Sequence, residues 1–171
     1  MRKLKKTTGL FIGRFQPLHL GHLEMIKKIL KENDNIIIAI GSAEKSHTNR
    51  NPFTASERKK IISETLKAEK IDSKRYKIIP VEDINNESLW VNHVNKHVPT
   101  YETIYTGSSE VKRCYFGKPY KLVKIKKTIP LSATLIRKYI RNGSKEWEPM
   151  VHKKTKEIIN TIINENKSKH F

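Results

Sequence analysis

Apolar residues in this chain come in short runs and one-sided stripes that alternate from end to end. Leu10-Phe11-Ile12, bounded by Gly9 and Gly13, is a continuous apolar stretch that suits a buried strand. Leu23, Ile26, Ile29 and Leu30 follow, with Lys27, Lys28 and Lys31 between them, which is the spacing of an amphipathic helix. Ile36-Ile37-Ile38-Ala39-Ile40 is apolar without alternation, the mark of a parallel strand covered on both faces. Thr54-Ala55-Ser56-Glu57 reads as a capping box opening a helix through about Lys67. Tyr76 to Val81 predicts a third strand, Leu89 to Val94 a helix, Thr103 to Gly107 a fourth strand and Tyr120 to Val123 a shorter fifth. Ser132 can cap a helix over Ala133 to Arg141, with Gly143 just past its end. A last helix, from about His152 to Asn164, aligns Ile158, Ile159, Ile162 and Ile163, and residues 167–171 are expected to fray. Strands alternating with helices predict right-handed crossovers and an α/β fold: a doubly wound parallel sheet in a single domain. Ligands of such sheets bind beyond the carboxyl ends of the strands, near the switch point.

Composition narrows the partners. The 171 residues carry a formal net charge of +18, so anions are the natural ligands. The lysines are spread along the chain, as on a solvated surface. Aromatics interleave with basic residues only between Lys112 and Lys121, too little for a nucleic-acid module. Cys114 is the only cysteine, which excludes an intrachain disulfide or a cysteine zinc cluster and suits a reducing, cytoplasmic setting. No stretch approaches the roughly 18 apolar residues of a membrane-spanning helix, and the apolar run after the basic N-terminus is too short for a signal peptide. Neither nucleic acid nor membrane is expected as a partner.

The chemistry is concentrated in Gly13-Arg14-Phe15-Gln16-Pro17-Leu18-His19-Leu20-Gly21-His22, between the first strand and the first helix. Pro17 stiffens this turn, and Gly21 permits a close backbone approach. His19 and His22 are three residues apart, so at a helix start they project to one side. The free N–H groups of that helix end attract an anion. Two imidazoles, an arginine and a helix N-terminus together make a phosphate site. No G-x-G-x-x-G follows a strand. Gly41-Ser42-Ala43-Glu44-Lys45-Ser46 lacks the glycine before the lysine that a Walker A loop needs, and the histidines do not form an H-E-x-x-H zinc site.

The decapeptide resembles the HxGH signature of the nucleotidyltransferase superfamily, and in its longer form the archaeal-type nicotinamide-mononucleotide adenylyltransferase family. Three further blocks carry the same resemblance. Gly41 to Arg58 is similar to a family loop, in which Arg50 matches a phosphate-contacting position and Lys45 and His47 could fold over a triphosphate. Val81 to Val91 is similar to the segment after strand three, in which a tryptophan stacks on nicotinamide. Ile129 to Lys138 resembles the I-S-x-T-x-x-R signature, although Ala133 stands where relatives often have Gly or Ser. Ser108 likewise stands where they commonly have Asn.

The resemblance implies a Rossmann-like nucleotidyltransferase fold and transfer of AMP from ATP to nicotinamide mononucleotide, giving NAD and pyrophosphate. It implies catalytic roles for His19, His22, Arg14 and Arg137. It implies ATP contacts at Gly13, Phe15, Gln16, Gly21, Arg50, Ser132 and Thr134, and mononucleotide contacts at Trp90, Asp83 and Asn86. The residues alone leave Asp83 open between a substrate partner and a loop-start cap. Mg²⁺ is expected to arrive with ATP, without a protein metal cage, and the partners are the two small molecules and further copies of the chain, in relatives often a hexamer. Another HxGH adenylyl- or cytidylyltransferase, acting on phosphopantetheine or flavin mononucleotide, would carry the same first and last blocks. A non-catalytic basic nucleic-acid-binding module is the more distant alternative.

Overall fold

A computed structural model of the chain describes residues 6–125 and 131–168. Five parallel strands run in the order β3-β2-β1-β4-β5: β1 Thr8–Gly13, β2 Asn35–Ile40, β3 Tyr76–Pro80, β4 Thr103–Thr106 and β5 Lys121–Lys124. The helices are α1 Leu20–Glu32, α2 Ala55–Ala68, α3 Glu87–His97, α4 Ser109–Tyr115, α5 Ala133–Arg141 and α6 Lys153–Ser168. The chain winds from β1 outward to β3, then crosses back beside β1 to form β4 and β5. The switch point therefore lies between β1 and β4, where consecutive loops leave in opposite directions.

Each central strand buries both faces, as its unbroken apolar run requires. Phe11, Ile36, Ile38 and Ile40 pack with Ile26 and Ile29 of α1, Ile61 and Ile62 of α2, Ile136 of α5 and Ile159 of α6. On the other face Leu10, Ile12, Ile37 and Ile104 pack with Val91 and Val94 of α3 and Tyr115 of α4. All of these are buried. Such burial supplies about 1.5–3 kcal/mol for each large aliphatic side chain, so the sheet is a stiff platform for the loops at its carboxyl edge.

The expected α/β doubly wound sheet is present, with two adjustments. The α4 helix is an addition within what reads in sequence as a basic, aromatic stretch. The last helix continues to Ser168, past the predicted Asn164. Residues 169–171 of the expected frayed tail, and Ile129-Pro130 of the fourth block, lie outside the described residues.

Candidate active site

The decapeptide forms the loop from β1 into α1. His19 is the N-cap of α1, and its Nδ1 accepts the backbone N–H of His22 at 3.3 Å. In return Nδ1 of His22 accepts the backbone N–H of His19, also at 3.3 Å. The two rings stack with centroids 3.7 Å apart. Gly21 is needed for this arrangement, because a Cβ there would sit 3.2 Å from the His19 ring. The close approach predicted at Gly21 is thus made by the protein's own imidazole.

Two residues of this loop expected to contact ATP have structural duties. The Gln16 side chain is buried, donating to the Phe53 carbonyl at 2.8 Å and accepting the Phe53 N–H at 3.0 Å. This two-way bond pins the β1–α1 loop to the loop after β2. Phe15 adopts a left-handed φ of 50° and turns its ring into the core, edge-on to Phe11 and to the His22 imidazole. Its ring supports the histidine.

Arg58 of α2 is fully buried and binds four carbonyl oxygens: Thr54 through Nε, Arg14 and Gly41 through one terminal nitrogen, and Ser42 through the other. It neutralises carbonyls at the strand ends. Glu57 closes the predicted capping box with Thr54.

Two hollows open at this edge. The first, of about 590 Å³, is walled by Gly13, Arg14, Lys45, Asp83 and Trp90 among others. The second, of about 640 Å³, is walled by Arg14, Arg50, Ser132, Thr134, Arg137 and Arg141. Arg14 and Arg50 wall both. His19 and His22 wall neither; they are half-buried in the same loop as Arg14.

The second hollow is an anion trap by construction. Among the described residues, Arg14, Arg50, Arg137 and Arg141 form no ion pair. Burial first, then the like charge of Arg50, pushes the Arg14 guanidinium down from its usual value. Burial, then Arg14, Arg50 and Arg141, does the same to Arg137. Cations crowded without a counter-charge are relieved by a bound polyanion. Ser132 heads α5 without a side-chain capping bond, so the amides of that helix end are not taken up by it, contrary to the predicted cap. Arg137 donates to the Gln16 carbonyl and to Thr134 Oγ1, each at 3.0 Å, tying α5 to the decapeptide.

The first hollow has a different character. Trp90 is half-buried at its wall and meets Tyr115 edge-on, with centroids 6.3 Å apart. Asp83 also lines it, accepting from Lys45 Nζ at 2.7 Å, from Ser42 Oγ at 2.8 Å and from the Ser42 N–H at 3.2 Å. Asp83 thus latches the loop after β2 through Ser42 and Lys45. His47 is exposed on that loop, bonded to Ser46, and walls neither hollow. Asn86, expected to touch the mononucleotide, is the N-cap of α3, accepting from the Leu89 N–H and Ser88 Oγ. Ser108 similarly caps α4. Sequence reasoning missed Arg141 of the second hollow, and also Glu87, Glu110 and Arg113, which wall the first. Their only sequence signal is a pair of three-residue spacings on short helices.

The cytidylyltransferase-like family matches residues 10–139. A nicotinamide-nucleotide adenylyltransferase of Thermoplasma volcanium is 42% identical over 168 residues, covering 95% of this chain and 90% of that protein. One from Methanococcus maripaludis strain C6 is 44% identical over 153 residues, covering 88% and 87%. Among solved structures, a bifunctional NMN adenylyltransferase/ADP ribose pyrophosphatase from Francisella tularensis superposes with a TM-score of 0.70 at 27% identity, over 88% of this chain and 44% of that longer one. A second structure of that protein, complexed with AMP and a manganese ion, shares the fold with a TM-score of 0.72 at 24% identity, over 96% of this chain and 55% of that one.

Proposed function

The chain belongs to the cytidylyltransferase-like family, and on that footing we propose that it moves the adenylyl group of ATP onto nicotinamide mononucleotide, forming NAD and pyrophosphate. The observation that carries this reading is the sharing of Arg14 and Arg50 between a guanidinium-lined hollow and a hollow walled by an indole. A reaction that joins two nucleotides through their phosphates needs that layout: polyphosphate on one side, a flat heterocycle on the other, cations at the junction.

In this mechanism a 5′-phosphate oxygen of the mononucleotide attacks the α-phosphorus of ATP in line. The bond from that phosphorus to the bridging oxygen breaks, and pyrophosphate leaves with the electron pair. The nucleophile is already an anion, so no side-chain base is required, and catalysis is positioning and charge stabilisation. Arg14, Arg50 and Arg137 hold the phosphate oxygens, aided by Ser132, Thr134 and the amide end of α5. The peptide group of Gly13 brings the backbone close to the nucleotide, while Gly21 leaves room for the His19 ring. His19 and His22 donate to the triphosphate as charge builds. Trp90 stacks on the pyridinium ring, worth about 0.5–2 kcal/mol. Mg²⁺ would be carried by ATP and would offset phosphate charge. Among the described residues no three His, Cys, Asp or Glu side chains gather to hold an ion, so phosphate oxygens and water would be its ligands.

The test is NAD formation from ATP and nicotinamide mononucleotide with matched pyrophosphate release, beside flavin mononucleotide and phosphopantetheine as acceptors. NAD as the dominant product supports the reading. Pyrophosphate release with only another acceptor, or oligonucleotide binding without any release, overturns it.

A further inference from the structure

The first hollow, walled by Trp90, ends on α3 and α4, and its charges there are not used by the transfer chemistry. Glu87 and Trp90, three apart on α3, both wall it; Glu110 and Arg113, three apart on α4, wall it as well. Arg113 donates to Glu87 Oε1 at 3.0 Å, and the Trp90–Tyr115 contact fixes one helix against the other. Setting aside the phosphate arginines, the charged side chains of this hollow are Asp83, Glu87 and Glu110 against Lys45 and Arg113, a balance of −1. Both cations are already engaged, Lys45 by Asp83 and Arg113 by Glu87.

We propose that Glu87, charge-balanced by Arg113, is a specificity-determining residue that makes this site take a neutral pyridine carboxamide and reject a pyridine carboxylate. The proposal rests on the reading that the pyridine ring lies on Trp90. The ring is the same cation in both mononucleotides, so discrimination falls on its substituent. A carboxamide brings two N–H donors, which the carboxylate of Glu87 can accept. A carboxylate brings only acceptors and a like charge, so one side chain supplies both the attraction and the repulsion that specificity needs. The Glu87 side chain is 64% exposed and that of Arg113 57%, so water screens the effect to roughly tenfold.

The experiment measures kcat/KM of the full chain for nicotinamide and nicotinate mononucleotides, each with magnesium and ATP. The wild type favours the nicotinamide form. Glu87→Gln, which keeps shape and loses charge, lowers that preference roughly tenfold, mainly through a better KM for the nicotinate form. Arg113→Gln uncovers the Glu87 charge and moves the preference the opposite way. The KM for ATP stays constant in both. Equal changes for the two mononucleotides in either variant, or a wild type that favours nicotinate, overturn the specificity role while leaving adenylyl transfer intact. Dinucleotide formation from neither mononucleotide overturns the transfer reading itself, and this proposal with it.

Discussion

His19 and His22 cap one another: each backbone N–H donates to the other's Nδ1, and the rings lie 3.7 Å apart. An Nδ1 that accepts a hydrogen bond carries no proton, so each neutral imidazole bears its proton on Nε2. The capping geometry thus sets both tautomers and turns two histidines into two N–H donors at one helix start. His19→Asn separates the two roles. Asn is a good N-cap and preserves helix stability, but it lacks the Nε2 donor. Turnover should fall by on the order of 10²–10³ with an unchanged melting temperature. Calorimetry beside pyrophosphate release checks this, and normal turnover would confine His19 to capping.

Gly21→Ala should behave similarly for a different reason. Alanine is the better helix former by about 1 kcal/mol. Its Cβ, however, would press on the His19 ring at 3.2 Å, shifting the stacked pair. The expected variant is at least as stable as the wild type and clearly slower, as denaturant titration and initial rates would show.

Arg137→Lys tests the fork. The guanidinium spans the Gln16 carbonyl and Thr134 Oγ1 with separate nitrogens, and a single ammonium cannot do both while gripping phosphate. One buried hydrogen bond is lost, costing about 1–3 kcal/mol in a chemical unfolding curve. The KM for ATP should rise, with the mononucleotide KM little changed.

The Asp83 latch gives a pH dependence. Burial pushes its carboxyl up, but the hydrogen bonds from Lys45 and Ser42 outweigh burial and leave it below the ordinary 3.8. A folded-state value below the unfolded one means that the contribution is full above 3.8 and lost as pH falls through the folded value. The charged pair of Lys45 and Asp83 is substantially exposed, so it amounts to less than about 1 kcal/mol. Asp83→Asn should be slightly less stable than the wild type at neutral pH, with the gap closing in acid below 3.8. A gap that persists in acid would show that the latch does not depend on the charge.

The sheet was legible because its central strands are uninterrupted apolar runs and its longer helices carry one-sided stripes. Helix α5 was predicted to the residue from Ser132 and Gly143. Helix α4 was not, because it spans only 7 residues, too few to display a stripe, and Ser108 was its only mark. At the site, sequence grouped the arginines correctly but could not say which were already engaged. Gln16 meets Phe53 from 37 positions away and Arg137 meets Gln16 from 121; such partners are set by the winding of the sheet. For the same reason the capping role of Asn86 and the core packing of Phe15 were not legible in the sequence.

Arg58 has a wider consequence. Parallel strands all end with carbonyl groups on the same rim, so that rim is a fringe of partial negative charge, hostile to any polyphosphate brought against it. By gathering the carbonyls of Arg14, Gly41 and Ser42 onto one buried guanidinium, the protein reverses the sign of its own rim before a ligand arrives.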